Sequence, residues 1–509
     1  MTDFPTSIWP ALLVAVPITF ALGTVFFAAA GRMWSGLAGS VATTLVSALA
    51  IAAAVREGGL IHHLGGWEPP LGILLRLDPL AAVFIGMTAL TGIAVSFYAA
   101  SYLRSQDDLP RGASLFWPLW LMLWAGLNGM FLSNDLFNLF VAIEVVGISA
   151  VGLAVLSGKP PALMAGLRYL LVAITGSMSY LFGVALLFGA YGTLDLTLLS
   201  AAVEPGATTV FALVLMTLGL MAKSAFFPLH FWLPPAHGSE LPPVSALLSA
   251  LVVKGSFYIL LRLWAEVFGV SLTFAAGQLI GVCGAAAVIW GSWQALNQDR
   301  LKLIIAHSSV AQLGYLLMVF PLLILAPGTA VAVASDWTSS AWTAAVYQTL
   351  SHAFAKSSLF LAAGVIVIAA GHDCRESLLD LVARRPMTAF AIGLAGISLT
   401  GLPPSGGFFA KWMLLKAAIA SGQWWWAPAV LAGSFLTAGY VFMILRLAFA
   451  PGNSDTENRP VPRGLESAAL LLAVASFFII VPAEAVISFL ESSAPFGSAI
   501  VPGEGGVLP

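Results

Sequence analysis

Apolar runs of about twenty residues recur from one end of the sequence to the other, with short polar stretches between them. A run of about twenty apolar residues is what an α-helix needs to cross the roughly 30 Å hydrocarbon core of a bilayer. Backbone polar groups in lipid must be satisfied within the segment, which so continuous an apolar run achieves as a helix. Of the 509 residues, 60% are hydrophobic and 9% charged, whereas about a quarter of a soluble domain is charged. The chain is expected to be an all-α polytopic membrane protein.

The runs place helices near 8–30, 35–55, 79–102, 114–132, 134–157, 163–190, 208–227, 243–265, 271–296, 301–326, 340–370, 386–420, 424–450 and 465–490. That predicts about fourteen transmembrane helices. The first residues lack a basic stretch of the kind that opens a signal peptide, so the first run is expected to remain as a helix.

The cations test the count. Counting by parity, one set of loops holds Arg32, Arg104, Arg111, Lys159, Arg168, Arg300, Lys302, Arg375, Arg384, Arg385, Arg446, Arg459 and Arg463. The other holds only Arg56, Arg76 and Arg262. Positive loops stay in the cytoplasm, which puts both termini on the non-cytoplasmic side. The remaining five of the 21 cations fall inside helices: Lys223, Lys254, Lys356, Lys411 and Lys416. An ionisable group in an apolar helix is costly and is a functional candidate by default.

Two helices carry breaks. The seventh stops at Phe227-Pro228, and the twelfth is interrupted by Leu399-Thr-Gly-Leu-Pro-Pro-Ser-Gly-Gly-Phe408. Proline cannot donate a helical hydrogen bond. Each break has a lysine beside it, Lys223 and Lys411, and the two lie about five helices apart. Paired broken helices point to an inverted-repeat transporter with its site at the repeat interface. Two inverted five-helix half-units are therefore expected, over 114–270 and 271–450. Residues 1–113 and 451–509 flank them as the first three helices and the last one.

Glu144 stands nine residues into the fifth helix, about 13 Å deep at 1.5 Å per residue. It needs a cation, and Lys223 is the natural partner; the plainer role is an ion pair that ties two helices. Lys254 has no acid close in sequence. A lysine without a counter-ion is suited to taking and releasing a proton, and mid-helix it is too deep to snorkel easily. Lys411 is the deeper of the last two lysines, and Lys416 suits an interfacial anchor. His352 and Lys356 are spaced i, i+4 and share a helix face, which favours a proton relay. His307, with Ser308, Ser309 and Gln312, gives a polar helix segment able to hold water between the half-units. His230 and His237 flank the proline-rich break, where each can load protons or brace the turn. Trp424-Trp-Trp426 fits an interfacial aromatic belt.

Other classes are disfavoured. A net charge of −2 does not fit nucleic-acid binding, which needs a basic surface. Cys283 and Cys374 fall short of the four ligands of an iron–sulfur cluster. No Walker A or dinucleotide fingerprint is present, and the histidine spacings do not make a metal site. No cofactor and no metal are expected, and the chain is read as a transporter subunit without a catalytic site of its own.

Five segments carry a resemblance. They are Ser133-Asn-Asp-Leu-Phe-Asn-Leu-Phe-Val-Ala-Ile-Glu144, the run from Lys223 to His237, Pro243 to Lys254, Ser351 to Phe360 and Gly401 to Lys411. Together they resemble, in family order, the antiporter-like subunits shared by Mrp-type cation/proton antiporters, respiratory complex I and membrane-bound hydrogenases. The resemblance implies fourteen helices in two inverted repeats. It also implies a gating pair at Glu144 and Lys223, a central Lys254, a relaying His352 and a terminal Lys411. Lysine at 411 looks more like the Mrp D-type chain. Pro235 and His307 depart from the common pattern.

The implied function is proton translocation, along Glu144, Lys223, Lys254, His307, His352, Lys356 and Lys411, within a multisubunit Na+/H+ antiporter of the plasma (inner) membrane. The alternative is a proton-pumping membrane-arm subunit of an NADH:quinone oxidoreductase or hydrogenase complex. Partners are then other membrane subunits, the lipid bilayer, protons, and Na+ or K+.

Overall fold

The structure is a computed structural model, and it describes residues 7–105, 111–324, 331–452 and 459–492. Both chain ends, to which the charge pattern assigns a side, lie outside the described residues. Helices α1 (Trp9–Val25) and α2 (Ala29–Glu57) lead into a hairpin of β1 (Leu60–His63) and β2 (Leu74–Leu77). The hairpin occupies the stretch between the second and third expected helices. Next come α3 (Pro79–Arg104), α4 (Phe116–Leu132), α5 (Leu136–Ala154) and α6 (Pro160–Tyr191). The seventh expected helix, 208–227, is α7 (Ala207–Lys223), and a short helix α8 (Leu233–Ser239) follows the break. After α9 (Pro242–Val267), α10 (Phe274–Leu296) and α11 (Leu301–Leu323) stands α12 (Val331–Ala370). The twelfth expected helix is split, into α13 (Pro386–Thr400) and α14 (Gly406–Ala420). The chain continues with α15 (Trp426–Phe449), α16 (Arg463–Phe478) and α17 (Ala483–Glu491).

The sequence sets the helix ends. Asp78, Asp135, Thr273 and Ser405 cap the N-termini of α3, α5, α10 and α14 by accepting backbone N–H bonds, as short polar side chains do at that position. Gly58, Gly192 and Gly401 close α2, α6 and α13 in the left-handed conformation.

Among the described residues, ten helices are long and apolar enough to cross a membrane, or eleven if the bent pair α16–α17 counts as one. Each of the fourteen expected segments contains a helix. Those in α1, α7 and α13 are apolar but shorter. The protein is a multi-pass membrane protein.

Packing repeats itself along the chain. Helix α4 packs on α5, α5 on α6, α6 on α7, α7 on α9, and α9 back on α4. Five units later α10 packs on α11, α11 on α12, α12 on α13 and α14, these on α15, and α15 back on α10. The packing order of the first set thus recurs in the second, with one break in each, as the expected pair of repeats requires. Helix α9 lies at the centre: its apolar window is 100% buried, against 33% for α2 and α15. Outward residues of the peripheral helices, such as Phe211, Phe435 and Phe442, are exposed and apolar, as a lipid-facing surface requires.

Candidate functional site: buried lysines between two broken helices

Lys223 ends α7, at the edge of the first break. Its Nζ donates to Glu144 Oε1 on α5 and to the carbonyl of Ile143, each at 3.4 Å. Glu144 is half-buried and Lys223 buried. A Cβ on Gly147 would stand 3.3 Å from the amine, so the missing side chain makes room for it. The break itself contains Pro228, and the Trp232 indole crosses it to donate to the Ala222 carbonyl at 3.0 Å.

Lys254 lies on α9 just past a π-helical turn, Leu248–Val252. Such turns displace backbone carbonyls from the α-helical ladder and recur at functional sites. The carbonyl of Ser249 accepts from Lys254 Nζ. No carboxylate reaches the amine among the described residues. Ser249 Oγ lies 3.0 Å from Ser309 Oγ on α11, which ties the first repeat to the second.

On α12, Lys356 Nζ donates to the Ile305 carbonyl at 2.9 Å and to the Ser308 hydroxyl. Ser309 Oγ donates to the same Ile305 carbonyl at 3.1 Å. His352 is buried between the charges of Lys254 and Lys356, and neither ring nitrogen has a hydrogen-bond partner. A buried polar atom without a partner is rare in native proteins and calls for a reason.

Lys411 sits on α14 beyond the second break. Its Nζ donates to the carbonyls of Leu399 and Thr400, at 2.9 and 3.0 Å, and to Ser434 Oγ at 3.2 Å. The ring of Tyr315 lies 4.6 Å beneath it, close enough for a cation–π contact. The two carbonyls are available because Pro403 and Pro404 stand four residues on, where an unbroken helix would supply N–H donors. Gly401 turns the chain at φ +83°, and a Cβ there would meet Lys411 Cδ at 2.8 Å. Gln312 of α11 also donates to the Leu399 carbonyl, at 3.2 Å, and accepts from Gln348 at 3.0 Å. Lysine 416 is exposed.

The cations therefore form a row: Lys223 with Glu144, then Lys254, then Lys356 with His352, then Lys411. Serine 249, Ser309, Ser308 and Gln312 lie between them. Lys223 precedes its break and Lys411 follows its own, so the two are not in equivalent places.

Several sequence expectations need correction. His307 is not set between Lys254 and Lys411. It lines a cleft of about 1500 Å³ with His230, Glu240, Lys302, Lys159 and Arg168. The polar face of α11 that does lie in the row begins one residue later. Lys302, expected in a loop, is buried, and its Nζ donates to the Glu240 carbonyl at 2.8 Å. His237 is buried against Glu240, its Nδ1 3.4 Å from Oε2. Arg262 is likewise buried, with Asp78 and Glu266 both 2.5 Å from its guanidinium, and Arg76 bridges the same two carboxylates at 3.2 and 3.0 Å. Of the tryptophan run, Trp424 and Trp425 are exposed, while Trp426 is buried against Gly281. Among the described residues no three of His, Cys, Asp and Glu gather as a metal site would need.

Ionisable side chains held deep in a helical membrane protein, beside breaks that free backbone carbonyls, define an ion-translocating membrane subunit. Residues 133–437 match the family described as NADH:quinone oxidoreductase/Mrp antiporter, transmembrane. The chain belongs to that family. It is 35% identical to the N subunit of the NADH-quinone oxidoreductase of Desulforudis audaxviator, over 89% of this chain and 86% of the relative. It is 30% identical to the D-type chain of the Na(+)/H(+) antiporter of Alkalihalophilus pseudofirmus, over 84% and 83%. A chain of the solved Mrp complex from Dietzia sp. superposes with a TM-score of 0.84 at 26% identity, covering 97% of this chain and 98% of that one.

Proposed function

We propose that this chain is the proton-translocating subunit of a multisubunit Na+/H+ antiporter, in which protons pass along Glu144/Lys223, Lys254, His352/Lys356 and Lys411. The observation that carries the reading is the row itself: four buried lysines joined across both repeats by the Ser249–Ser309 contact and the shared Leu399 carbonyl. When Glu144 and Lys223 close, the carboxylate holds the proton on the lysine; when they part, the proton is released inward. His230, His307 and His237 serve entry from the cleft. Nothing in the row supplies energy, so the drive comes from other membrane subunits of a hetero-oligomeric complex.

The half-units are read as 114–270 and 271–450, within fourteen crossings of the plasma (inner) membrane. The loops rich in Lys and Arg lie in the cytoplasm and both termini on the other side. The test is cation-driven proton movement in everted vesicles carrying the whole complex. Lys254→Ala should abolish it, and transport at the wild-type rate would sink the proposal.

A second reading, a proton-pumping subunit of a redox-driven complex, is favoured by the 35% identity to the oxidoreductase N subunit. Mass spectrometry of the purified intact complex separates the two: small antiporter subunits, or quinone-site and iron–sulfur subunits.

A further inference from the structure

Among the buried acids that the transport reading does not use, Glu240 has a carboxylate oxygen without a partner. Glu240 follows α8 and lines the wall of the cleft, yet it is 3% exposed. Its Oε2 lies 3.4 Å from His237 Nδ1 and accepts from Ser245 Oγ at 3.3 Å, while Oε1 has no hydrogen-bond partner. Lys302, on the same wall, holds the Glu240 backbone and acts on its charge. His237 Nε2 is also without a partner, and its ring lies 4.7 Å from Phe360, one turn along α12 from Lys356. A buried carboxylate with an unsatisfied oxygen is expensive to keep, which argues for a task.

Helix α9 starts beside this acid. Ser245 is in its first turn and Ser249 one turn on, and Lys254 Nζ rests on the Ser249 carbonyl. One helical turn is about 5.4 Å, so the two serines stand one above the other at the start of α9. The polar line Glu240, Ser245, Ser249, Lys254 thus leads from the cleft to the central lysine without passing through Glu144 or Lys223. We propose that Glu240 is a proton-loading carboxylate: it takes a proton from the cleft and delivers it along Ser245 and Ser249 to Lys254, with Lys302 as its counter-ion. This inference rests on the transport reading and adds a direct entry to the middle of the row.

The test is Glu240→Gln in the complete complex, assayed in everted vesicles with Lys254→Ala alongside. Glu240→Gln should slow proton movement at least tenfold, and Glu240→Asp, which keeps the carboxylate, should retain a third of the rate or more. Wild-type transport in Glu240→Gln, with Lys254→Ala inactive, overturns the Glu240 route and leaves the transport reading standing. An active Lys254→Ala overturns both. Should Glu240→Gln fail to assemble, Glu240→Gln with Lys302→Gln removes both charges together and is judged by the same rates. A Glu240→Asp as slow as Glu240→Gln also overturns the proposal, because the geometry and not the acid would then be what matters.

Discussion

Lys411 Nζ lies 2.9 Å from the carbonyl oxygen of Leu399, whose helical donor is missing because residue 403 is proline. The lysine takes the place of the backbone N–H. Gly401→Ala, strained at φ +83° and bringing a Cβ to 2.8 Å from Lys411 Cδ, disturbs that seat. Proton movement in vesicles should fall several-fold, with the complex still assembled. Lys411→Met should abolish transport and lower the thermal midpoint, because Gln312 still serves Leu399 but the Thr400 carbonyl is left alone, and the cost of an unsatisfied buried carbonyl is about 1–3 kcal/mol.

The Glu144–Lys223 contact is long, at 3.4 Å, and the acid is half-buried. Glu144→Gln and Lys223→Met should each reduce transport at least tenfold. In a double-mutant cycle the stability losses should be non-additive by about 0.5–3 kcal/mol, the signature of groups in contact. Glu144→Asp, one methylene shorter, should fall between wild type and Glu144→Gln.

Asp78 is the acid end of a lock that joins the hairpin, the start of α3 and the end of α9. Burial alone would raise its pKa, but Arg262 and Arg76 overcome this and hold it at about 2, down from 3.8. A depressed carboxylate contributes stability above its unfolded pKa and loses it as pH falls through the folded one. Asp78 therefore contributes fully above about pH 4, and its share, roughly 2 kcal/mol, disappears between pH 4 and 2. Thermal midpoints against pH should drop across that window more steeply in wild type than in Asp78→Asn. Arg262→Ala, which leaves Asp78 and Glu266 with Arg76 as their shared cation, should lower the thermal midpoint at neutral pH.

Helices α6 and α7 touch through glycine. A Cβ on Gly219 would stand 2.3 Å from the Gly176 carbonyl. Gly219→Val must part the helices, at about 1–3 kcal/mol by overpacking, and Lys223 lies one turn further along α7. The thermal midpoint and the transport rate should fall together. Gly189→Ala on the same α6, where a Cβ meets open space, should change neither.

The row was legible because charge in an apolar run is visible without a structure. Lys223, Lys254, Lys356, Lys411 and Glu144 stood out for that reason, and the prolines at 228, 403 and 404 marked both breaks. What the sequence hid were features with no compositional mark. The π turn at Leu248–Val252 runs through an unbroken apolar stretch. Arg262, Lys302 and Glu240 lie near segment ends, where a charge is normally solvated, and only tertiary packing buries them. His307 and Ser308 are neighbours in sequence, yet successive helical residues point about 100° apart. One therefore faces the cleft and the other the row.

The placement of the two flanking lysines bears on direction. A device made of two inverted halves with identical chemistry would conduct equally well either way. Here one half meets its charge with a carboxylate ahead of its break, and the other with carbonyl oxygens and an aromatic ring behind it. The fold is close to symmetric and the wiring is not, which is the property that separates a rectifier from a resistor.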